Sequence, residues 1–413
     1  MISVYDSIER CCGCGACAQA CGKHAISMKD DEYGFRYPVI DQDRCVDCNF
    51  CRTVCNYKPA TDSEVKDSYV AQRKSSAIKK SASGGIFAEF ACLVIAQGGV
   101  VYGCVFEREN DMLRPVIAEA STLEEIEPML GSKYVQSDTA ESYLGVKKHL
   151  NDGKFVLYSG LPCQIAGLKG FLRKSYDNLL TLDIICHGVP NERFFQAYIS
   201  NLEKKIHGTV TKFNFRGKIK GWGDSTYTYT YTYTYTYVDK SGKQCIAEAW
   251  GNFEESVYYK MFLASSIHRE SCYHCPFAST NRPSDITIGD CWGISVEHPE
   301  YDKEQGGTFD FTKGTSCVIV NTQKGQNYFA AHQEGLQIAP VSLANVVKYN
   351  HQLSRPSYDS PWRKAYYQAF LQNSYVGLMK MYYRLEWKQI LKLKIYRLIP
   401  QLGIRLIRLL KGR

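Results

Sequence analysis

The chain has 413 residues, 45% apolar and 22% charged: ample for a buried core, and too long for a small disulfide-stapled secreted domain. Its 18 cysteines therefore point to metal or redox chemistry, and no run of about 18 uncharged apolar residues predicts a membrane span. The net charge of +8 sits in the tail, where residues 378–413 carry ten Lys or Arg against Glu386 alone; the remainder is near neutral at −1, which excludes a basic nucleic-acid-binding face on the body.

The opening "MISVYDSIERCC" has no apolar core and no cleavage site, so no signal peptide is expected and the reading is a cytoplasmic protein with reduced thiols. In "CCGCGACAQAC", Cys11, Cys14, Cys17 and Cys21 follow the spacing C-x-x-C-x-x-C-x-x-x-C, and Cys45, Cys48, Cys51 and Cys55 repeat it. This is the ligand run of bacterial two-cluster ferredoxins. Two-residue gaps let a tight turn aim three thiolates at three corners of one cubane, while the fourth cysteine points to the other cluster. Cys11, Cys14, Cys17 and Cys55 are thus expected to hold one 4Fe–4S cluster, and Cys45, Cys48, Cys51 and Cys21 the second. Zinc sites take cysteines in pairs and match this spacing poorly. Small residues Gly13, Gly15 and Ala16 let backbone amides approach the sulfurs. Cys12 is left over and reads as a packed thiol or a neighbour of the ligands. Gly22 and Asn56 stand where proline commonly follows the fourth cysteine, a departure that removes no ligand. Between the groups, "KDDEYGFRYPVID" predicts a hairpin around Gly34.

From about residue 69 the pattern becomes mixed α/β. "SGGIFAEFACLVIAQGG" predicts a helix that starts at Ser83-Gly84-Gly85 and stops at Gly98-Gly99. "VVYGCVF", "KFVLYSG", "LLTLDIIC" and "TSCVIVN" read as strands, several apolar enough to be buried on both faces. "TYTYTYTYTYTY" (226–237) alternates with period two, which places six Tyr on one face of a strand and six Thr on the other. The turn "DKSGK" leads to a return strand, "QCIAEAW", too short to pair the whole repeat. The expectation is an expanded repeat in a hairpin that protrudes or finds another partner, with a Tyr ladder for a flat ligand or glycan as the lesser alternative. "SRPSYDSPW" (354–362) reads as a linker to a helical tail.

A second set of cysteines lies downstream: Cys163, Cys186, Cys272 and Cys275. Cys163 and Cys186 each follow a strand-like run, where α/β sheets build sites. Four cysteines in three loops suffice for a further cluster, although their spacing does not establish one. Gly-Gly at a helix start exposes N–H groups suited to a phosphate or a reduced flavin ring, and equally suits a plain helix start. No G-x-G-x-x-G opens a βαβ unit, so a dinucleotide-type NAD site has no support.

"SASGGIF", "GSKYVQS", "SGLPCQIAGL", "DIICHGVP", "FRGKIKGW", "RESCYHCPF" and "SDITIGDCWGI" occur in the order found in the coenzyme F-420 hydrogenase/dehydrogenase beta-subunit family, which the chain resembles over residues 1–325. The resemblance implies an α+β or α/β architecture, with a bacterial-type ferredoxin domain (1–60) and a mixed α/β flavin and iron–sulfur domain (69–355); the residues themselves add a basic helical tail (356–413). It implies FAD, and a third 4Fe–4S cluster on Cys163, Cys186, Cys272 and Cys275. The flavin would lie near Ser83, Gly84 and Gly85, with Lys133 as a cation and Tyr134 as an aromatic wall. Asp290 and Trp292 would border the third cluster or simply end a buried strand. Cys291 stands where the family more often has an aromatic residue, which makes it a rival fourth ligand or a small core residue. His187 reads as a satisfied structural histidine. No catalytic residue is singled out.

The function so implied is an oxidoreductase passing electrons between 4Fe–4S clusters and FAD, with hydride exchange to a small organic or deazaflavin-type substrate. Its partners would be a redox protein or external ferredoxin and a small hydride donor or acceptor. The alternative of another class is a non-catalytic electron adaptor for a partner enzyme, with a link to surface-polysaccharide synthesis. In the tail, Lys380, Arg384, Lys388 and Lys392 form a basic stripe beside Tyr382, Leu385, Ile390, Ile395 and Leu398, interrupted at Pro400. The stripe fits a docked helix, or a peripheral helix on anionic lipid at the inner face of the membrane.

Overall fold

The computed structural model describes residues 3–60, 67–110, 112–222 and 229–410, with side chains as far as Trp387. Two compact units result, Met1–Asp359 and Ser360–Arg413.

In the first unit, the cysteine-rich start forms α1 (Ala16–Ala20), the antiparallel hairpin β1 (Ile26–Asp30) and β2 (Arg36–Ile40), and α2 (Phe50–Thr53). Gly15 takes a left-handed φ of 72° to begin α1. The hairpin turn is closed by the Asp31 carboxylate, which accepts from the Tyr33 and Phe35 amides at 3.0 and 2.8 Å, and Gly34 supplies the φ of 92°.

The chain then runs through β3 (Asp67–Arg73), α3 (Ile86–Ala96), β4 (Val100–Glu109), β5 (Met112–Ala120), α4 (Leu123–Ile126), α5 (Ser142–Asn151), β6 (Val156–Gly160), α6 (Pro162–Leu172), β7 (Leu179–Ile184) and α7 (Glu192–Ile206). A three-stranded excursion follows, β8 (Thr209–Gly217), β9 (Thr230–Val238) and β10 (Gln244–Asn252), then α8 (Val257–Leu263). The unit closes with β11 (Ile286–Asp290), α9 (Ile294–Glu297), β12 (Ser316–Val320), α10 (Gln323–Ala331), β13 (Leu336–Pro340) and α11 (Leu343–Tyr349).

Eight strands make one mixed sheet in the order β13-β3-β12-β11-β7-β6-β4-β5. Its middle, β11-β7-β6-β4, is parallel, and the flanking pairs are antiparallel. The parallel strands are buried on both faces, as their continuous apolar runs predict. Leu157 and Leu180 face α3 in one core, while Val156, Tyr158 and Leu179 face α5 and α6 in another. Ala16 of α1 is buried in that second core, so the cysteine-rich start is packed onto the sheet layer through α6. The approach is close because α6 offers glycines there. A Cβ on Gly167 would stand 2.7 Å from Cys14 Sγ, and one on Gly170 would collide with the Val54 carbonyl.

β9 is the middle strand of the second sheet, paired with β10 from Thr230 to Val238 and with β8 on its other edge. The Thr-Tyr repeat therefore has partners on both sides. The return strand is nine residues rather than seven, and Tyr231, Tyr233, Tyr235 and Tyr237 form a ladder with ring spacings of 5.8–6.3 Å. Repeat residues 226–228 lie outside the described residues.

The second unit is built on α12 (Arg363–Leu410), which breaks at Asn373 and Ser374, where φ is −131° and +60°. Tyr366 and Tyr382 approach to 6.1 Å across the break. The interruption expected at Pro400 is not found; the helix runs through it. Lys380 and Arg384 are described, whereas the side chains of Lys388, Lys392, Ile390, Ile395 and Leu398 lie outside the described residues. Among the described residues, no helix is long and apolar enough to cross a membrane.

Candidate redox site

Cys11, Cys14, Cys17 and Cys55 come together although residue 55 is far along the chain, close enough for their charges to interact. The amides of Gly13, Ala16, Ala18 and Tyr57 are directed at these four sulfurs. Such N–H···S contacts suit thiolates bound to an electron-rich cluster. Burial pushes the Cys11 thiol up to about 11, so a bare thiolate is disfavoured there and metal binding must displace the proton. Cys21, Cys45, Cys48 and Cys51 line a second hollow with Ile26, Ile40 and Phe50; Cys48 is exposed and Val46 is 58% exposed at its rim.

The downstream four also converge. Cys163 at the start of α6, Cys186 after β7, and Cys272 and Cys275 line one hollow with Tyr57, Arg269 and Arg282. Burial pushes the Cys186 thiol up to about 12, and its sulfur accepts from the Gly188 amide at 3.4 Å. Arg269 and Arg282 bring buried positive charge to a site built for thiolates. Arg282 is held by Asp183 and the Ile184 carbonyl, both at 3.0 Å. Arg269, 1% exposed, donates to the carbonyls of Cys11 (2.9 Å) and Arg36 (2.7 Å) and to Gln136 (3.1 Å), beneath the Tyr37 ring. Among the described residues, no three His, Cys, Asp or Glu side chains converge as they would around a single ion. Cys291 is buried with Phe309, Phe311 and Val341 and does not line the hollow. His187 is bonded to the Leu263 carbonyl (3.0 Å) and to Gln352 (2.7 Å), a structural histidine whose basicity is lowered by burial.

A larger cavity opens over the ends of β6, β7 and β11 and the middle of β4, with about 1220 Å³ of empty space, part of it open to solvent. Its wall includes Ser81, Ser83, Gly85, Ile86, Lys133, Tyr134, Leu161, Ile185 and Asp290. Leu161 also lines the cysteine hollow, so the two spaces adjoin. The sequence-derived contacts are redistributed here. Gly84 does not line the cavity: its amide is spent on Ser316 Oγ at 2.9 Å, and a Cβ there would strike the backbone of Ala71 and Ser316. Ser83 Oγ donates to the Thr315 carbonyl at 2.7 Å. Lys133 reaches the wall, but its ammonium caps the carbonyls of Pro128, Met129 and Leu130 at 2.9–3.1 Å, and burial lowers it to about 8. Tyr134 is a wall residue whose ring already stacks on Phe262, with centroids 4.5 Å apart. What remains for a ligand is the first turn of α3 behind Gly85, with no side-chain cap, and the buried Ser81 hydroxyl, which has no partner among the described residues.

Residues 153–343 match the family model for the C terminus of the coenzyme F420 hydrogenase/dehydrogenase beta subunit, and residues 10–58 match the model "4Fe-4S dicluster domain". Residues 153–343 thus carry a domain of that beta-subunit family, joined in the same chain to an iron–sulfur dicluster domain at residues 10–58. A search of curated proteins gives no match. Among solved structures, a chain of the F420-reducing [NiFe] hydrogenase complex from Methanosarcina barkeri, determined in a xenon-derivatization study, is 16% identical with a TM-score of 0.42, covering 72% of this chain and 91% of that one. A likeness that loose carries no argument about the site.

The beta-subunit domain holds one constellation beyond those singled out in its sequence. Arg216, from β8, is sandwiched between the rings of Tyr229 (4.4 Å) and Trp292 (5.3 Å) and paired with Asp290 at 3.0 Å. Trp292 stacks on Trp222 at 5.0 Å. Lys218 donates to the carbonyls of Ser83 (2.8 Å) and Ile78 (3.2 Å), and so ties β8 to the loop before α3; burial lowers its ammonium to about 8. The motif "FRGKIKGW" contains Arg216, Lys218 and Trp222, but nothing in its spacing reveals that they brace the cavity wall.

Proposed function

We propose that the chain is an FAD-dependent iron–sulfur oxidoreductase carrying three 4Fe–4S clusters, with the flavin in the cavity between α3 and the strand ends. Cys11, Cys14, Cys17 and Cys55 would hold the first cluster, Cys21, Cys45, Cys48 and Cys51 the second, and Cys163, Cys186, Cys272 and Cys275 the third. The observation that carries the reading is the adjacency of the cavity and the third cysteine hollow at Leu161. Bound FAD would exchange one hydride with a small organic or deazaflavin-type substrate and two single electrons with the clusters.

The chain's own groups have separate tasks. The α3 amides and Ser81 Oγ bind the anionic or polar part of the cofactor. Lys133 and Lys218 are cationic at neutral pH and fix the two wall loops while adding positive charge. Arg216, held by Asp290, keeps the opposite wall in place. Leu161, Ile185 and Ile86 exclude water between flavin and cluster. The exposed Cys48 and Val46 mark the second quartet as the face an external ferredoxin or other one-electron partner would meet. A cytoplasmic location follows from the need to keep twelve ligand thiols reduced.

The test is anaerobic cofactor analysis of the purified chain. About twelve irons and one FAD released on denaturation are expected for three cubanes and a flavin. Clusters with no flavin under any loading condition would favour the electron adaptor instead.

A further inference from the structure

Cys12 belongs to neither N-terminal quartet, yet it is 6% exposed and lies between two of the three sites. It stands two residues before Cys14 of the first quartet and shares the lining of the third hollow with Cys163. Its backbone is clamped: the Cys12 carbonyl accepts from Gln136 Nε2 at 2.8 Å, Gln136 Oε1 accepts from Arg269 at 3.1 Å, and Arg269 donates to the neighbouring Cys11 carbonyl at 2.9 Å. On the Cys14 side the space is sealed by α6, where Gly167 leaves no room for a Cβ. Cys12 is thus buried and held in place between the two quartets.

We propose that Cys12 is a positioning residue for electron transfer, its S–H donating to a ligand sulfur of the first or the third cluster. The inference rests on the three-cluster reading above. Both neighbours, as cluster ligands, are thiolates that only accept, and a thiol carries one proton. The S–H can therefore serve one cluster at a time, and rotation about the Cβ–Sγ bond turns it to the other. A hydrogen bond to a ligand sulfur favours the more negative, reduced state of that cluster. When one electron passes from the first cluster to the third, the first is oxidised and the third reduced by one unit. The proton stays on Cys12 and turns toward the newly reduced side.

The experiment is an anaerobic redox titration, followed by EPR, of the wild-type chain, Cys12→Ala and Cys12→Ser, each with its iron content measured. Expected are about twelve irons per chain in all three, a more negative midpoint for at least one cluster in Cys12→Ala, and partial recovery in Cys12→Ser, whose hydroxyl can still donate. Full iron content with unmoved midpoints in Cys12→Ala overturns the proposal alone. So does a loss of about four irons in that variant, which would make Cys12 a ligand. About eight irons in the wild type would remove the three-cluster reading and this inference with it. Should Cys12→Ala not fold, deuterium exchange on the wild type and Cys12→Ser decides: an exchangeable deuteron coupled to a reduced cluster, altered in the Ser variant, is expected, and identical spectra overturn the proposal.

Discussion

Gly170→Ala isolates the contact by which the cysteine-rich start is joined to the sheet. Gly170 lies inside α6, where alanine is intrinsically favoured over glycine by about 1 kcal/mol. Against that gain, the new Cβ would land on the Val54 carbonyl oxygen, with Asn56 Cβ at 3.0 Å and the Val54 carbonyl carbon at 3.3 Å. Carbon atoms prefer about 3.5–4.0 Å. A backbone carbonyl cannot rotate out of the way as a side chain can, so the segment carrying Val54 and Cys55 must retreat by roughly 1 Å. Overpacking of this kind costs about 1–3 kcal/mol or somewhat more, and the clash outweighs the helix gain. The net loss is then up to about 2 kcal/mol, which for a chain of this size lowers the apparent melting temperature by up to about 2–3 °C. The assay is anaerobic differential scanning at a fixed scan rate, with Gly22→Ala as the control, because a Cβ there meets nothing within 4 Å. Iron should also be released earlier from Gly170→Ala, since Cys55 follows Val54. A variant as stable as Gly22→Ala, with unchanged iron release, would refute the claim that glycine is needed for this approach.

Cys272→Ser should lower the iron content from about twelve to about eight per chain while the two N-terminal clusters keep their EPR signals; unchanged iron would disprove the third site. Arg269→Met should destabilise the chain by about 3–5 kcal/mol, because three buried acceptors and the surrounding thiolates lose their cation; a chemical denaturation midpoint within error of the wild type would contradict this. FAD affinity should weaken as pH rises through about 8. Lys133 and Lys218 are both shifted down to that value by burial, so they are charged below it and neutral above it, and ultrafiltration on either side of that pH measures the change. For the tail, a chain ending near Pro361 should float with anionic liposomes less than the full chain if the basic stripe meets lipid, and equal flotation would reject the membrane contact.

The dicluster character of the N-terminal segment was legible because cubane ligation writes itself into short cysteine spacings that no other common site shares. The doubly buried strands were legible for a similar reason, as Val156–Tyr158 and Leu179–Leu182 leave no polar face to expose. The downstream quartet was not readable from spacing, since Cys163, Cys186 and the Cys272–Cys275 pair meet only once β6 and β7 are laid side by side. The resemblance to a family brought them together, and the fold places them around one hollow. Individual contacts at the cavity beside α3 were least legible. A lysine in a sequence does not announce that three carbonyls will surround it, as they do Lys133. A Gly-Gly pair does not say which glycine serves the helix start and which serves packing against a neighbouring strand; Gly85 does the first and Gly84 the second. Ser81 opens the motif "SASGGIF", but nothing in that motif singles it out. It emerges only as a buried hydroxyl without a partner among the described residues.

The Thr-Tyr strand has an unusual freedom. Because β9 repeats every two residues, sliding it by two against β8 and β10 puts Thr over the former Thr positions and Tyr over the former Tyr positions, with no side chain turned to the wrong face. Alignment must therefore come from the non-repeating neighbours. Gly251 makes room for the Tyr231 ring, and Gly217 sits under Thr230 and Thr232, so each notch admits a bulky group where a β-carbon would not. Copies of the gene that gained or lost one Thr-Tyr pair could keep the same sheet by seating a different tyrosine in the same notch, and the change in length would fall on the connecting segment.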